Sequence, residues 1–340
     1  MRAFVRDMFG AILLHTGITS PRRRLERRLT VVTFHRVLPQ QLVREYPLPW
    51  LAVTPEQLAW FLEFFVEHFT IAPLCEHLTQ RIETRPSTRP LLAVTFDDGQ
   101  LDNFHYARPV LDRFAIRASF FVTVAAATHN AALWHDRVGF AYVRAVREAP
   151  VRLTALFGEY GIDIDLGDAM RPRTLVATLK RRTPQERTSF ANELEHVVSG
   201  TSRPCWDGMM SFSDMVELAN DGHEIGSHGM THECLPQCSG EALVIETVNS
   251  RRSLEHALGR SVVSFCYPNG DYDHRVVDAV RSAGYLQAVT TIFGANFIDD
   301  PAFTLRRFDV QSEYHYARTG ALSRARTAWR MSGLYPGLRS

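Results

Sequence analysis

Short runs of β-branched and aromatic residues alternate with amphipathic stretches along most of this chain, and that alternation restricts its possible folds more than any other feature. Candidate strands cover residues 29–34, 69–74, 91–96, 118–123, 223–227, 264–267 and 287–291. Between them, residues 55–69, 101–114, 213–221, 240–258 and 274–283 carry helical spacing of apolar side chains. Strand followed by helix, repeated, implies parallel strands joined by crossover helices. Seven candidate strands point to a closed barrel related to the (β/α)8 type rather than to an open sheet.

One segment breaks the rhythm. Residues 130–205 hold helical patterns and many arginines but no clear strand. They read as a helical, lid-like insertion, and insertions at the C-terminal ends of barrel strands border the active site. The expected organisation is a basic segment at 1–28, a barrel at 29–310 containing this insertion, and a second basic segment at 311–340.

Charge is distributed unevenly although the 340 residues sum to only +1. Residues 1–28 hold seven arginines against Asp7 and Glu26, and residues 318–340 hold five arginines and no acid, so the body carries a surplus of nine acids. An acidic body repels nucleic acid. Basic ends carrying Phe4, Met8, Ile12 and Leu13 on one side, and Leu322, Trp329 and Leu334 on the other, suit short helices against an anionic lipid surface. The competing reading is that they are ordinary amphipathic helices packed on the body. No apolar run approaches the roughly 18 residues that span a bilayer. Arg2 and Arg6 precede an apolar stretch, but it is short and no A-x-A pattern follows, so a cytoplasmic protein at the inner face of the membrane is expected. Cys75, Cys205, Cys234, Cys238 and Cys266 lack C-x-x-C spacing and read as free thiols.

Two short constellations carry the chemistry. Residues 91–99 form an apolar run ending in Asp97, Asp98 and Gly99. Side chains of neighbouring strand residues point opposite ways, but a turn at Gly99 can bring both carboxylates toward one cavity. A cation between them relieves their repulsion, leaving one to ligate it and the other to accept a proton. Taken alone, Asp-Asp-Gly is a common solvated turn. The second constellation changes that weighting: in residues 223–232, His228 and His232 stand four apart, a spacing that brings two imidazoles onto one ion. Two histidines and one carboxylate leave positions open for water and substrate.

Thr95-Phe96-Asp97-Asp98-Gly99 and His228-Gly229-Met230-Thr231-His232 resemble the first two motifs of the polysaccharide deacetylase, or NodB-homology, family. Phe34-His35-Arg36-Val37, Trp134-His135-Asp136-Arg137, Tyr267-Pro268-Asn269-Gly270 and Leu305-Arg306-Arg307-Phe308 add to the resemblance, which covers residues 29–310. It implies a deformed (β/α)7 barrel and metal-dependent removal of an N-acyl group, usually acetyl, from an amino sugar in a polysaccharide, oligosaccharide or lipid-linked glycan. Carried over residue by residue, it makes Asp97 the general base and Asp98, His228 and His232 the ligands of one divalent cation, most simply zinc. Such an ion lowers the pKa of bound water toward about 7 and polarises the amide carbonyl. The resemblance also places substrate contacts and an oxyanion-binding backbone N–H in the loop Tyr267, Pro268, Asn269, Gly270.

The chain departs from the family pattern at three places. Gly229 follows the first metal histidine where Ser or Thr is usual, and Thr231 is the expected substitute for the lost hydroxyl. Cys266 stands where an arginine commonly orients the base; Arg307 is the expected replacement, since a guanidinium can hold a carboxylate with two hydrogen bonds. No residues match the late Leu-x-x-His motif that supplies the general acid. His35, at the exit of the first strand, is the first candidate for that role, followed by His135 and His315. Three alternatives accompany the leading one: a deformylase or deacetylase of an undecaprenyl-linked amino sugar, a non-catalytic barrel binding glycan or membrane, and a metal-dependent phosphoesterase, which the two-histidine, one-carboxylate set disfavours.

Overall fold

The structure, a computed structural model, describes residues 10–77, 89–163, 172–200, 203–297, 299–310, 315–317 and 319–334. Seven parallel strands among them close into a ring: β1 (Arg28–Phe34), β2 (Leu91–Phe96), β3 (Ser119–Val122), β4 (Glu224–Ser227), β5 (Ser264–Cys266), β6 (Gln287–Phe293) and β7 (Leu305–Asp309). Each strand pairs with the next in sequence, and β1 closes the ring by pairing with both β2 and β7. The ring is uneven. β1 and β2 run in register from Leu29 opposite Leu91 to Phe34 opposite Phe96, whereas β4 meets β5 at the single pair Ser227 and Phe265, and β7 shifts register against β6 between Leu305 and Arg307. This is the deformed (β/α)7 barrel that the resemblance implies.

One expected strand is corrected. Residues 69–74 are not a barrel stave: only Thr70–Ile71 is extended, lying outside the ring beside β2. The slot next to β2 is already filled by β1 along its whole length. Phe69 instead caps the helix α1 (Pro55–His68) and packs in the main core. The seventh stave is Leu305–Asp309, where sequence reading saw a motif following the last strand.

Alternation along the staves sorts the barrel interior into layers. Leu29, Val31, Ala93, Phe121, Cys266, Val289 and Leu305 form one closed apolar cluster. Below it, Glu224 accepts hydrogen bonds from the Ser119 and Ser264 hydroxyls, with Gln287 joined to Ser264. Above it, toward the C-terminal ends of the strands, stand Thr33, Thr95 and Arg307, then Asp97 and His228 just past the ends of β2 and β4. The same parity that sends Ala93 inward sends Asp97 inward. Gly226 has a steric reason: a Cβ there would lie 2.6 Å from the Phe121 ring, which fills the narrow interior.

Residues between β3 and β4 form the helices α2 (Trp134–Glu148), α3 (Pro150–Glu159), α4 (Pro172–Leu179) and α5 (Pro184–Val197). They have their own core, in which Val138, Leu153, Leu175, Leu179, Phe190 and Leu194 pack with Leu38 and Leu48 from the connection after β1. This layer therefore sits over the strand ends that carry the polar residues.

The basic ends meet on one flank. Residues 10–15 are helical, and Gly10 approaches Ala325 of α6 (Arg324–Met331). The α6 residues Ala325, Ala328 and Met331 are buried and Leu322 packs on the main core, whereas Ile12 and Leu334 are exposed. Phe4 and Met8 lie outside the described residues. No helix among the described residues is long and apolar enough to cross a membrane. Cys75, Cys205, Cys234, Cys238 and Cys266 are all free.

His315 is part of this packing. Its ring meets Phe61 of α1 edge-on at 5.0 Å and its Nδ1 lies 2.8 Å from the Thr327 hydroxyl of α6. Burial pushes the imidazole down to about 3, with Arg330 adding to the effect. The unfolded chain then binds the extra proton, so this histidine's contribution is complete above about pH 6.5 and is lost as pH falls toward the folded value. The stability difference between wild type and His315→Asn, measured by urea unfolding, should shrink by about 1.4 kcal/mol between pH 7.5 and pH 5.5. A difference independent of pH would contradict the buried, neutral imidazole.

Candidate metal centre and active site

The two adjacent carboxylates reach one cavity because the backbone turns sharply between them. The Asp97 N–H donates to Phe34 O at 3.0 Å, still in the barrel ladder, while Asp98 and Gly99 take φ of +76° and +81°. A non-glycine residue at positive φ is strained, and such strain gathers at functional sites. Gly99 cannot carry a side chain, since a Cβ would lie 2.9 Å from Val122. Asp97 therefore keeps the interior direction of β2, and Asp98 swings to the cavity from the other parity.

Asp97 is clamped by Arg307. The guanidinium donates to both carboxylate oxygens at 2.8 Å, and also to Thr33 Oγ1, Thr95 Oγ1 and the Thr290 carbonyl. Its Nη2 lies 3.3 Å from Cys266 Sγ. The thiol leaves the space that an arginine at 266 would occupy, and β7 fills it with Arg307. Burial alone would raise the Asp97 carboxyl, but Arg307 outweighs it and holds the group at about 2.

Asp98 Oδ1 lies 3.5 Å from His228 Nε2 and 3.4 Å from His232 Nε2. Four ligands at about 2.1 Å around a tetrahedral ion are separated by about 3.4 Å, so these spacings fit a shared cation. His228 Nδ1 lies 2.8 Å from the Cys266 carbonyl, which accepts its proton and leaves Nε2 as the free lone pair. Asp98 Oδ1 is buried without a hydrogen-bond partner, a costly state for a carboxylate that a metal would relieve. Burial raises Asp98, yet the two imidazoles reverse this and hold it well below the usual carboxylate range. Asp97, His228 and Cys266 also lie close enough to share an ion. There, however, Arg307 already engages both Asp97 oxygens and the sulfur.

The loop between the two histidines is organised by a residue that sequence reading missed. The Glu246 carboxylate accepts from the backbone N–H groups of Met230 and Thr231 and from the Thr231 hydroxyl. Gly229 takes φ of +80°, and a Cβ there would lie 2.6 Å from Glu246 Oε2. Thr231 thus does the bonding expected of a hydroxyl at 229, and Gly229 makes way for the carboxylate. His232, at φ of +63°, is turned back toward Asp98.

The cavity has a volume of about 290 Å3 and is lined by Asp97, Asp98, His228, His232 and Arg307 together with His35, His135, Tyr267 and Asn269. Pro268 and Gly270 do not line it: Gly270 instead abuts Thr291, where a Cβ would collide at 2.0 Å. Within that loop the Tyr267 N–H donates to Val289 O and the Gly270 N–H to Tyr267 O, and proline has none, leaving Asn269 as the backbone donor those bonds do not use. His35 is half-buried at the cavity wall. His135 Nε2 stands 3.9 Å from Asp98 Oδ2, and burial pushes its imidazole down to about 3. His315 is not in the cavity, being sealed between α1 and α6. The expectation of His315 as a proton donor there is therefore corrected.

A second buried network joins the insertion to the barrel. Arg36 donates to Asp102 at 2.6 Å and to Asp207 at 2.7 Å, and lies 3.6 Å from Asp136. Asp136 in turn accepts from Tyr46 and Gln100. Asp136 neighbours His135 on α2, so this network fixes the insertion beside Asp98 and His232.

Residues 177–288, a stretch that includes both histidines and the Tyr267 loop, match the model of the family described as polysaccharide deacetylase. That match spans 112 of the 340 residues. No curated protein matches it by sequence. Its fold is shared with solved structures at low identity. The Streptococcus pyogenes deacetylase PplD in complex with acetate aligns with a TM-score of 0.59 at 14% identity, over 90% of this chain and 99% of that one. IcaB from Ammonifex degensii gives 0.53 at 17%, over 83% and 91%. The BpsB deacetylase domain from Bordetella bronchiseptica gives 0.50 at 16%, over 84% and 96%.

Proposed function

We propose that this protein is a polysaccharide deacetylase that hydrolyses the N-acetyl amide of an amino sugar, with Asp98, His228 and His232 holding one divalent cation, most simply zinc. The observation that carries the reading is the juxtaposition of that three-residue set with a carboxylate clamped by Arg307 in one cavity. A cation bound there would supply Lewis-acid polarisation of the amide carbonyl and of a water.

The protein's own groups do the rest. Asp97 stays ionised under all ordinary conditions and takes the water's proton as its oxygen bonds to the carbonyl carbon. A carboxylate held so low is a weak base, so position is its main asset, and Arg307 fixes both of its oxygens. Negative charge gathers on the former carbonyl oxygen, where the Asn269 N–H is the loop's available donor. The C–N bond then breaks, its electron pair going to nitrogen, which takes a proton from His35. Acetate and a free amine result.

Incubation with an N-acetylated chito-oligosaccharide should release acetate from the zinc-loaded protein and none after chelation. Absence of acetate from chito-oligosaccharide, peptidoglycan fragments and nucleotide-linked N-acetyl sugars alike would sink the reading.

A further inference from the structure

The two histidines of the metal-ligand set are held in different ways. His228 Nδ1 lies against the Cys266 carbonyl at 2.8 Å, whereas His232 Nδ1 is buried with no hydrogen-bond partner among the described residues. A ligating imidazole is ordinarily aimed by what its second nitrogen meets. His232 lacks that constraint, so its aim depends on the chain to either side of it. On the near side, Glu246 holds the Met230 and Thr231 backbone.

On the far side the holder comes from the insertion. Arg187, on α5, is 1% exposed. Its guanidinium pairs with Glu233, donates to Gln237 Oε1 at 3.4 Å and reaches Cys234 Sγ at 3.8 Å, all in the short loop after His232. A bond to the Arg182 carbonyl at 2.8 Å fixes the same guanidinium to the turn before α5. It also lies over the Trp134 ring at 5.4 Å. Trp134 opens α2 immediately before His135, whose ring meets that of His232 at 5.4 Å. Two insertion helices and the residues after His232 therefore converge on one buried cation. Cys234 Sγ accepts from the Asn269 side chain at 3.3 Å, which carries the grip on to the loop at the cavity wall.

We infer that Arg187 is a positioning residue for the metal centre: by tying α5 and α2 to the segment after His232 it aims that imidazole at the ion, and it makes the docked insertion and the bound metal stabilise each other. The inference rests on the metal-ligand part of the function proposed above. Such coupling is reciprocal, so what the insertion does for metal affinity the metal does for the insertion.

Zinc affinity is measured on the full-length protein by competition with a chromophoric chelator, for wild type, R187M, R187K and E233A, with urea unfolding to establish that each metal-free variant is folded. R187M and E233A should each bind zinc about tenfold more weakly, the effect of losing a partner in the outer shell of a metal site. R187K should recover part of that loss, and R187M/E233A should be no weaker than R187M alone. Hydrogen exchange of the α5 amides gives the reciprocal readout: saturating zinc should slow it about tenfold in wild type and leave it nearly unchanged in R187M. Lower urea stability with wild-type zinc affinity in R187M and E233A, or zinc protection of α5 that survives R187M, would overturn the inference and leave the metal centre standing. Should R187M fail to fold, E233A carries the same two measurements. A wild type that binds no zinc would overturn the metal centre and this inference with it.

Discussion

Asp97→Asn should retain the bound metal and lose turnover by about 10^2- to 10^4-fold, the range expected when a positioned general base is removed. The substitution keeps the shape of the side chain and at least one acceptor for Arg307, and it leaves Asp98, His228 and His232 untouched. Metal content and acetate release must therefore separate. Turnover within tenfold of wild type would remove Asp97 from the role of base, and simultaneous loss of the metal would mean that Asp97 belongs to the ligand set.

Arg307→Met is expected to cost more stability than any other single change at the site. It strips the guanidinium from a carboxylate that is almost fully buried, and breaking a buried pair costs about 3–5 kcal/mol because a charge is left without compensation. The pair's own pH dependence has a definite sign: Asp97 is held at about 2, below its unfolded value. Its contribution is therefore present above about pH 4 and lost as pH falls toward the folded value. Without Arg307, burial is free to push Asp97 upward, so the acid limb of the rate profile should move toward neutrality and activity should fall at least about 100-fold at pH 6. The double variant D97N/R307M should recover most of the lost stability, since no charge is left stranded, and none of the activity. Urea unfolding of the two single variants and the double one measures this. Additive losses would show that the two residues do not act as a pair.

How far the sequence alone reaches follows from the range of each interaction. The barrel was legible because strand and helix each leave a local periodicity, and six of the seven staves lie where the alternation put them. Residues 69–74 misled because a short apolar run between helix and loop carries the same local signal as a stave, and only the pairing of β1 with β2 excludes it. Asp97, Asp98, His228 and His232 stood out because each pair sits within one short motif. Arg307 could be inferred only from Cys266, the missing arginine implying a replacement from another strand. Glu246 had no signal. It is one acid on an amphipathic helix, and its bonds to the Met230 and Thr231 backbone are visible only in three dimensions. The same holds for the grip of Arg36 on Asp102 and Asp207, the latter 171 residues away in sequence. His315 was attractive as a late histidine, but its ring is fixed by Phe61 and Thr327 on the far side of α1.

The central claim is that Asp98, His228 and His232 form one metal centre, and its most direct test is the metal content of purified wild type beside His228→Ala, each exposed to zinc and desalted. The account predicts one equivalent of bound ion per chain in wild type and essentially none in the variant. Equal metal content in the two proteins, whether one equivalent or none, would contradict it.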